Sequence, residues 1–561
     1  KMKEIVIRPD WLVKLQKERA EAALLNPEKI FPWWRRECEV KLLIMTDSFL
    51  DFSDNDFGLS TFVSTIINDG RNYVKFKVTL AHRTYGNLGA AITGVANRIA
   101  NFRYDNPEHF TSEKYDVVML FGADTGIPNN PNRDNGQNYL SEAELKAIAE
   151  FMNNGGGMFA TGDHGALGKG LCSAIARVRS MRLWDNSTGN VGMADSMRND
   201  TNRRGNDTLS SFDDQSDDVP QEIIPKMYSS KWFGFWRETY PHPLLCSPSG
   251  IIKVLPDHPH EGECIEPVNT GLKDILGQDE YPAGIKPEII ATSTVLNNSN
   301  AGGSKQNTVS HHFGAICAYD GHLAGVGRVS TDATWHHFVN INLIGEISDT
   351  ENNRNSTEHP SVRMGFTYST SGMTHLEKIM HYYVNIPVWL SRKKQHDCFN
   401  GRFLWETLYQ HRVIEAAMDS PVTPIEKLHP RIIYAIGTHA RDVIGRKAGQ
   451  CRRLRIILDL IKVRYKEFEI DLDPWRPHSL EELLKTETNL PPLINVDGLL
   501  NLSLGGAILA LRDKLGLDPK AIKELSSDQI FEIASKGAVA SLENGVKDII
   551  GQSKKLSVNL K

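Results

Sequence analysis

Residues 155–168 constrain the fold more than any other part of this chain. They follow a run with helical periodicity, residues 141–154, and open with three glycines, which suit a left-handed helix end. A short apolar strand comes next, breaks into glycines around Asp163 and His164, and precedes a second helix near Leu171. Strand, tight turn and helix form a nucleophile elbow, in which glycines let the backbone present side chains at the carboxyl edge of a parallel sheet. The sequence predicts that Asp163 and His164 are displayed at such an edge.

Three continuous apolar runs predict further buried parallel strands. They cover residues 40–46, 76–80 and 115–121, with helical segments between them. This alternation predicts an α/β fold with an open, mostly parallel, flavodoxin-like sheet and helices on both faces. Ligands of such sheets bind at the carboxyl ends of the strands, so we expect the polar residues that follow the strands to lie at one rim.

The polar residues at the predicted rim carry the candidate chemistry. A neutral imidazole can act as a general base or a metal ligand, and a neighbouring carboxylate can orient it. The predicted rim has more carboxylates than an acid/base pair needs. A divalent metal ion that neutralises them is therefore the candidate cofactor. The catalytic candidates are His164, Asp163, Asp332 and His336; the substrate-binding candidates are Gly122, Asp124, Ser48 and His337; the metal candidates are Asp47, Asp51, Asp163 and His164.

The order of these motifs resembles a known superfamily. Residues 121–126, the three glycines, the elbow strand, the Asp-His-Pro turn at 257–259 and the Gly-x-Gly-Arg-Val run at 325–329 are similar to class I glutamine amidotransferase-like proteins. The trehalose-utilisation (ThuA-like) branch is the most similar, over about residues 40–348. The amidotransferases carry a nucleophilic Cys where this chain has His164, whereas the ThuA-like branch tends to have a His there. The resemblance implies the fold and a site built on the elbow.

The sequence divides into three predicted regions. Residues 1–38 predict an N-terminal helical extension, residues 39–348 the α/β domain with an insertion near 185–245, and residues 349–561 an α-helical domain. Polar residues at 348–358 predict a linker, and amphipathic patterns beyond it predict helices at 375–388, 403–418, 430–443 and 452–468. The apolar run at 499–511 suits either a core or a surface for homo-oligomer assembly. A basic run, Arg452 to Lys466, lies on one of the predicted helices and favours a solvated face over a nucleic-acid surface.

Composition excludes some classes of function. The formal charge of −5 argues against a nucleic-acid partner, and the longest apolar runs are too short for a membrane span. Seven scattered cysteines without CxxC spacing predict reduced thiols and a cytoplasmic protein.

Three functions fit these observations. The first is hydrolysis of a small polar substrate, a sugar or a nucleotide-like molecule, at an Asp/His site with or without a metal ion. The second is a ligand-sensing or scaffold module without turnover that assembles through its helical domain. The third is a metal-dependent N-glycosidase, suggested by the spacing of Asp47 and Asp51, which is faintly similar to that of nucleoside hydrolases.

Overall fold

The computed structural model describes most of the chain outside the N-terminal extension. The described residues are 38–68, 73–83, 88–123, 140–163, 167–184, 221–229, 239–256, 262–295, 311–345, 365–368, 370–466, 473–476, 496–516 and 525–559. The N-terminal extension up to residue 37, most of the insertion and the predicted linker lie outside these ranges. His164, Asp124 and the Asp-His-Pro turn lie outside them as well.

Nine strands form the central sheet, in the order β3-β2-β1-β4-β5-β15-β14-β13-β7. Six strands run parallel: β1 (Cys38–Thr46), β2 (Val74–His82), β3 (Asn97–Ile99), β4 (Val117–Gly122), β5 (Gly157–Gly162) and β15 (Val329–Asp332). An antiparallel extension adds β14 (His311–Tyr319), β13 (Glu288–Val295) and β7 (Ile224–Pro225). Short antiparallel pairs are made by β6 (Gln221–Glu222), β8 (Met227–Ser229), β9 (Thr239–Pro241), β10 (Cys246–Ser247), β11 (Gly250–Ile251) and β12 (Val254–Leu255). The order β2-β1-β4-β5-β15 is the flavodoxin-like order, so the predicted fold class is confirmed.

The helices of the α/β region follow the predicted pattern closely. They are α1 (Ser60–Ile67), α2 (Glu142–Asn153), α3 (Lys169–Cys172) and α4 (Asn340–Ile344). Ser141 and Glu144 form a capping box at the start of α2, and Gly155 ends it with a φ of 85°. The crossovers β1-α1-β2 and β4-α2-β5 run in opposite directions along the sheet. Since such crossovers are right-handed, α1 and α2 cover opposite faces.

The described residues of the C-terminal region form six helices: α5 (Thr370–Leu390), α6 (Lys393–Leu408), α7 (His411–Met418), α8 (Pro430–Ile461), α9 (Val496–Leu515) and α10 (Ser527–Asn559). The two helices expected at 430–443 and 452–468 are one helix, α8, broken at Gly449, where φ is 76°. The apolar run at 499–511 is buried within α9, between α8 and α10, and is therefore core. Among the described helices, none combines the length and apolarity that a membrane crossing requires.

Helix α5 packs against the sheet region although it follows the predicted linker. Its Tyr383 meets Phe62 of α1 with ring centroids 5.1 Å apart, and Phe62 lies 5.4 Å from Phe121 of β4. The first helix of the predicted helical domain thus shares the core of the α/β region.

A disulfide bond also joins the two regions. Cys38, the first residue of β1, is bonded to Cys398 of α6, 360 residues away in sequence, while the other five cysteines are free and buried. The expectation that all the thiols are reduced is therefore wrong for this pair. Spacing could not reveal it, because the pairing depends on how α6 packs against β1.

Candidate functional site

The elbow strand places Asp163 at the carboxyl edge of the sheet, as predicted. Asp163 directly follows β5, is fully buried, and its backbone carbonyl accepts a hydrogen bond from Trp335 Nε1 at 3.3 Å. Thr331 of β15 pairs with Ala160 of β5, so Asp332 ends its strand on the neighbouring position of the same rim. The two predicted catalytic carboxylates therefore belong to adjacent strand ends.

Buried Arg182 holds the chain on both sides of the elbow. Its guanidinium donates to the carbonyl oxygens of Gly162, of Leu167 at 2.9 Å and of Ala333 at 2.8 Å. Burial lowers the pKa of Arg182, while Asp163 and Asp332 are among the neighbouring groups that favour its charge. A buried cation thus fixes the ends of β5 and β15 relative to each other.

Asp332 and His337 form a buried dyad beside this cation. Asp332 Oδ1 lies 2.6 Å from His337 Nδ1 and accepts the Thr334 backbone N–H at 3.2 Å. Its other oxygen, Oδ2, accepts the hydroxyl of Tyr382 from α5 at 2.6 Å. Burial and the charge of Asp332 raise the pKa of Tyr382 well above its usual value, so the hydroxyl stays a donor. The carboxylate therefore has a partner on each oxygen.

The second nitrogen of His337 is chemically available. Because Nδ1 faces a carboxylate, the hydrogen-bond network assigns the ring proton to Nδ1 and leaves a lone pair on Nε2. His337 has no exposed surface, and Nε2 has no hydrogen-bond partner among the described residues. A buried polar atom of this kind normally contacts an enclosed water or takes part in chemistry. The arrangement is that of a general base oriented by a carboxylate.

The loop after β1 covers the neighbouring residues Trp335 and His336. Phe49 and Phe57 meet the Trp335 ring edge-on, with centroids 5.8 Å and 6.1 Å away, and His336 stacks on Trp335 at 4.2 Å. Buried Asn340 holds the loop from below by donating to the carbonyl oxygens of residues 53 and 55, at 3.0 Å and 2.8 Å. His336 therefore packs beneath this loop.

The remaining predicted residues make contacts that support the backbone. Asp47 Oδ1 accepts the backbone N–H of Ala123 at 2.6 Å and so links the ends of β1 and β4, while Asp51 Oδ1 accepts that of Ser53 at 2.8 Å. Ser48 is half-buried, with a φ of 54°. A Cβ on Gly122 would stand 2.7 Å from the Gly168 Cα, so this glycine permits the chain after the elbow to cross β4.

The predicted metal ligands do not form a site within the described ranges. No three His, Cys, Asp or Glu side chains there are arranged to hold a metal ion. Asp47 and Asp163 directly follow β1 and β5, which are two strand spacings apart, or about 10 Å. His164 lies outside the described residues, so its role as a ligand stays a prediction.

Two functional candidates were not visible in the sequence. Arg182 belongs to no motif, and Tyr382 is one of many apolar-face residues of an amphipathic helix far along the chain. Both reach the rim only through tertiary packing, and only the histidine cluster around Asp332 pointed to this part of the molecule.

Comparison with known proteins adds no assignment. No protein-family model matches the sequence, and no curated protein or solved structure matches the chain. The similarity to the ThuA-like branch therefore remains a prediction from motif order.

Proposed function

We propose that the rim is a hydrolytic site for a small polar substrate, a sugar or a nucleotide-like molecule, with His337 as its general base. The observation that supports this most directly is the 2.6 Å contact between His337 Nδ1 and Asp332 Oδ1, combined with a buried Nε2 that has no partner among the described residues. Such a carboxylate-oriented imidazole takes a proton at Nε2 with little reorganisation.

In the proposed reaction His337 activates water. Because the side chain is fully buried, the nucleophile is a water enclosed beside Nε2, and Asp332 stabilises the imidazolium that forms when the water loses its proton. The water oxygen bonds to the electrophilic carbon or phosphorus of the substrate as the bond to the leaving group breaks, and the imidazolium returns the proton to the leaving group. Tyr382 holds the second oxygen of Asp332 and acts as a positioning residue. Asp163 and His164 at the elbow are the proposed substrate contacts.

Variants of the dyad test the proposal on a panel of chromogenic glycosides, nucleosides and phosphate esters. We expect His337→Gln and Asp332→Asn to lower turnover by about 100-fold or more, the usual effect of losing a general base. His336→Gln, a change of the same type at the other histidine predicted to be catalytic, tests whether the loss is specific to His337. If both dyad variants fold and retain turnover, the dyad is structural and the scaffold hypothesis replaces this one.

Location and assembly also stay predictions. Disulfides are rare in the cytosol of most organisms, so the bond between Cys38 and Cys398 does not favour the predicted cytoplasmic location. Electrophoresis without reductant, after thiols are alkylated in intact cells, tests whether the bond is present. Light scattering of the purified protein tests homo-oligomer formation.

A further inference from the structure

A large cavity lies on the side of the sheet opposite the rim, where β15 begins. It has a volume of about 670 Å³, within the range of small-molecule sites. Its walls come from the turn between β14 and β15, from the end of α5, and from α6 and α8. Arg328, which immediately precedes β15, is part of the wall, so the cavity faces the amino end of that strand.

The cavity wall is strongly basic although the whole chain is acidic. Eight Lys and Arg side chains line it against three carboxylates, a formal surplus of five positive charges. The formal charge of the complete chain is −5. Part of the basic run that the sequence assigned to a solvated face, including Arg452 and Lys462, therefore lines a concave site.

The surplus charge rests on four of these cations. Asp320 is paired with Arg328 at 2.8 Å, and Asp459 with Lys462 at 2.5 Å. Arg455 is paired at 2.9 Å with Asp473, which does not line the cavity, and Arg452 donates to Asn400 at 2.9 Å. Within the described part of the chain, the other four form no ion pair within 4 Å with a carboxylate. These are Lys393, Lys447, Lys466 and Arg476. They reach the cavity from three separate segments, which is the arrangement of a pocket rather than of a flat stripe.

The imidazole of His322 also lines this cavity. His322 Nε2 has no hydrogen-bond partner among the described residues, although the atom is buried. Burial and the charge of Arg328 lower the pKa of His322 to about 3, so the ring is neutral and can donate one hydrogen bond. The aromatic faces of the wall are already covered, Trp389 by Arg328 at 4.8 Å and Tyr73 by Arg452 at 5.8 Å. A ligand would therefore meet unpaired cations and the His322 imidazole, with Asp397 as the one carboxylate of the wall outside the ion pairs named above.

We infer that the cavity binds a compact small molecule carrying two or more phosphate groups. A phosphate monoester carries about −1.5 to −2 charges at pH 7, so one phosphate leaves most of the surplus unbalanced. Lys and Arg together with a neutral donor suit phosphate oxygens. The inference is independent of the proposed hydrolytic site.

Isothermal titration with tripolyphosphate at constant ionic strength tests this site. The variant Lys393→Gln/Lys447→Gln removes two of the unpaired cations. Lys394→Gln/Arg446→Gln makes the same change of net charge at adjacent, exposed positions of the same helices that do not line the cavity. We expect saturable binding to the parent, a loss of at least about tenfold in affinity for the first pair, and less than about twofold for the second. Circular dichroism confirms that both variants fold.

Further ligands identify the source of the phosphate. Adenosine triphosphate and inositol hexakisphosphate are compared with tripolyphosphate, and binding of any of them that depends on Lys393 and Lys447 supports the inference. It is overturned if tripolyphosphate does not bind, if citrate binds equally well, or if both variant pairs lose affinity equally. Tight binding of a single-stranded oligonucleotide without binding of tripolyphosphate would overturn it in favour of a nucleic-acid surface.

Discussion

Two adjacent tyrosines on α5 offer a controlled test of the dyad. The hydroxyl of Tyr382 donates to the Asp332 carboxylate at 2.6 Å, whereas that of Tyr383 donates to the backbone carbonyl of His337. Both side chains are fully buried, and Tyr→Phe removes one oxygen atom from each. Tyr382→Phe therefore removes a hydrogen bond to a charged group, and Tyr383→Phe removes one to a neutral group.

The expected magnitudes follow from that difference. Losing a hydrogen bond to a charged group costs about 1.5–3 kcal/mol, and losing one to a neutral group about 0.5–1.5 kcal/mol. Tyr382→Phe should therefore lower the free energy of unfolding by the larger amount. Because burial and the charge of Asp332 keep the pKa of Tyr382 well above its usual value, the difference should be the same at pH 6 and pH 8.

Urea denaturation followed by tryptophan fluorescence measures both variants, since Trp335 lies beside the dyad. Turnover of Tyr382→Phe should also fall, because the Asp332 carboxylate loses the hydrogen bond that holds its Oδ2. Turnover of Tyr383→Phe should stay near that of the parent. If Tyr382→Phe lowers the free energy of unfolding no more than Tyr383→Phe does, the assignment of Asp332 as a charged carboxylate with a hydrogen-bond partner on each oxygen is refuted.

Three further predictions test the packing and the titration of the fold. Gly505→Ala should lower the thermal midpoint, because its Cβ would stand 1.9 Å from a backbone oxygen, whereas Gly551→Ala, in open space, should raise stability by up to about 1 kcal/mol. Burial lowers the pKa of His242 to about 3, below the unfolded value of 6.5. The free energy of unfolding should therefore fall as the pH falls from about 6.5 towards 3, by up to about 1.4 kcal/mol per pH unit. In His242→Gln, the midpoint of urea denaturation should depend less steeply on pH over this range. Reduction of Cys38–Cys398 should cost about 2–4 kcal/mol in urea denaturation, and Cys38→Ser should be insensitive to reductant.

The parallel core could be predicted because its signals are local. Continuous apolar runs marked β1, β2 and β4, and the strand ends at Asp47 and Asp163 fell where the runs broke into polar residues. The start of α2 could be predicted as well, because its capping box is a short-range pattern. Helix α10 was missed, because its apolar positions are shared between several packing partners and give no single clear stripe.

The site was only partly predictable for a related reason. Asp332 and His337 were both identified from the sequence, but in separate roles, catalysis and substrate binding. Their contact depends on a tight turn after β15. Arg182, Tyr382 and the disulfide bond depend on long-range packing: Arg182 contacts Ala333 151 residues away, Tyr382 contacts Asp332 50 residues away, and the two cysteines are 360 residues apart. Periodicity and spacing carry no information about such contacts.

The two proposed sites lie at opposite ends of one short strand, although α5 contributes to both, with Tyr382 at the dyad and the neighbouring His381 in the cavity wall. Arg328 precedes the four residues of β15 and Asp332 ends them, which separates the sites by about 13 Å of extended backbone. Effects of changes this far apart, without shared partners, usually add within about 0.5 kcal/mol. We therefore expect Tyr382→Phe to leave the affinity for tripolyphosphate within about twofold of the parent. Combining it with Lys393→Gln/Lys447→Gln should give the sum of the separate unfolding costs. A departure from additivity well beyond that limit would mean that β15 or α5 transmits changes between the cavity and the dyad, so that neither site could be interpreted alone.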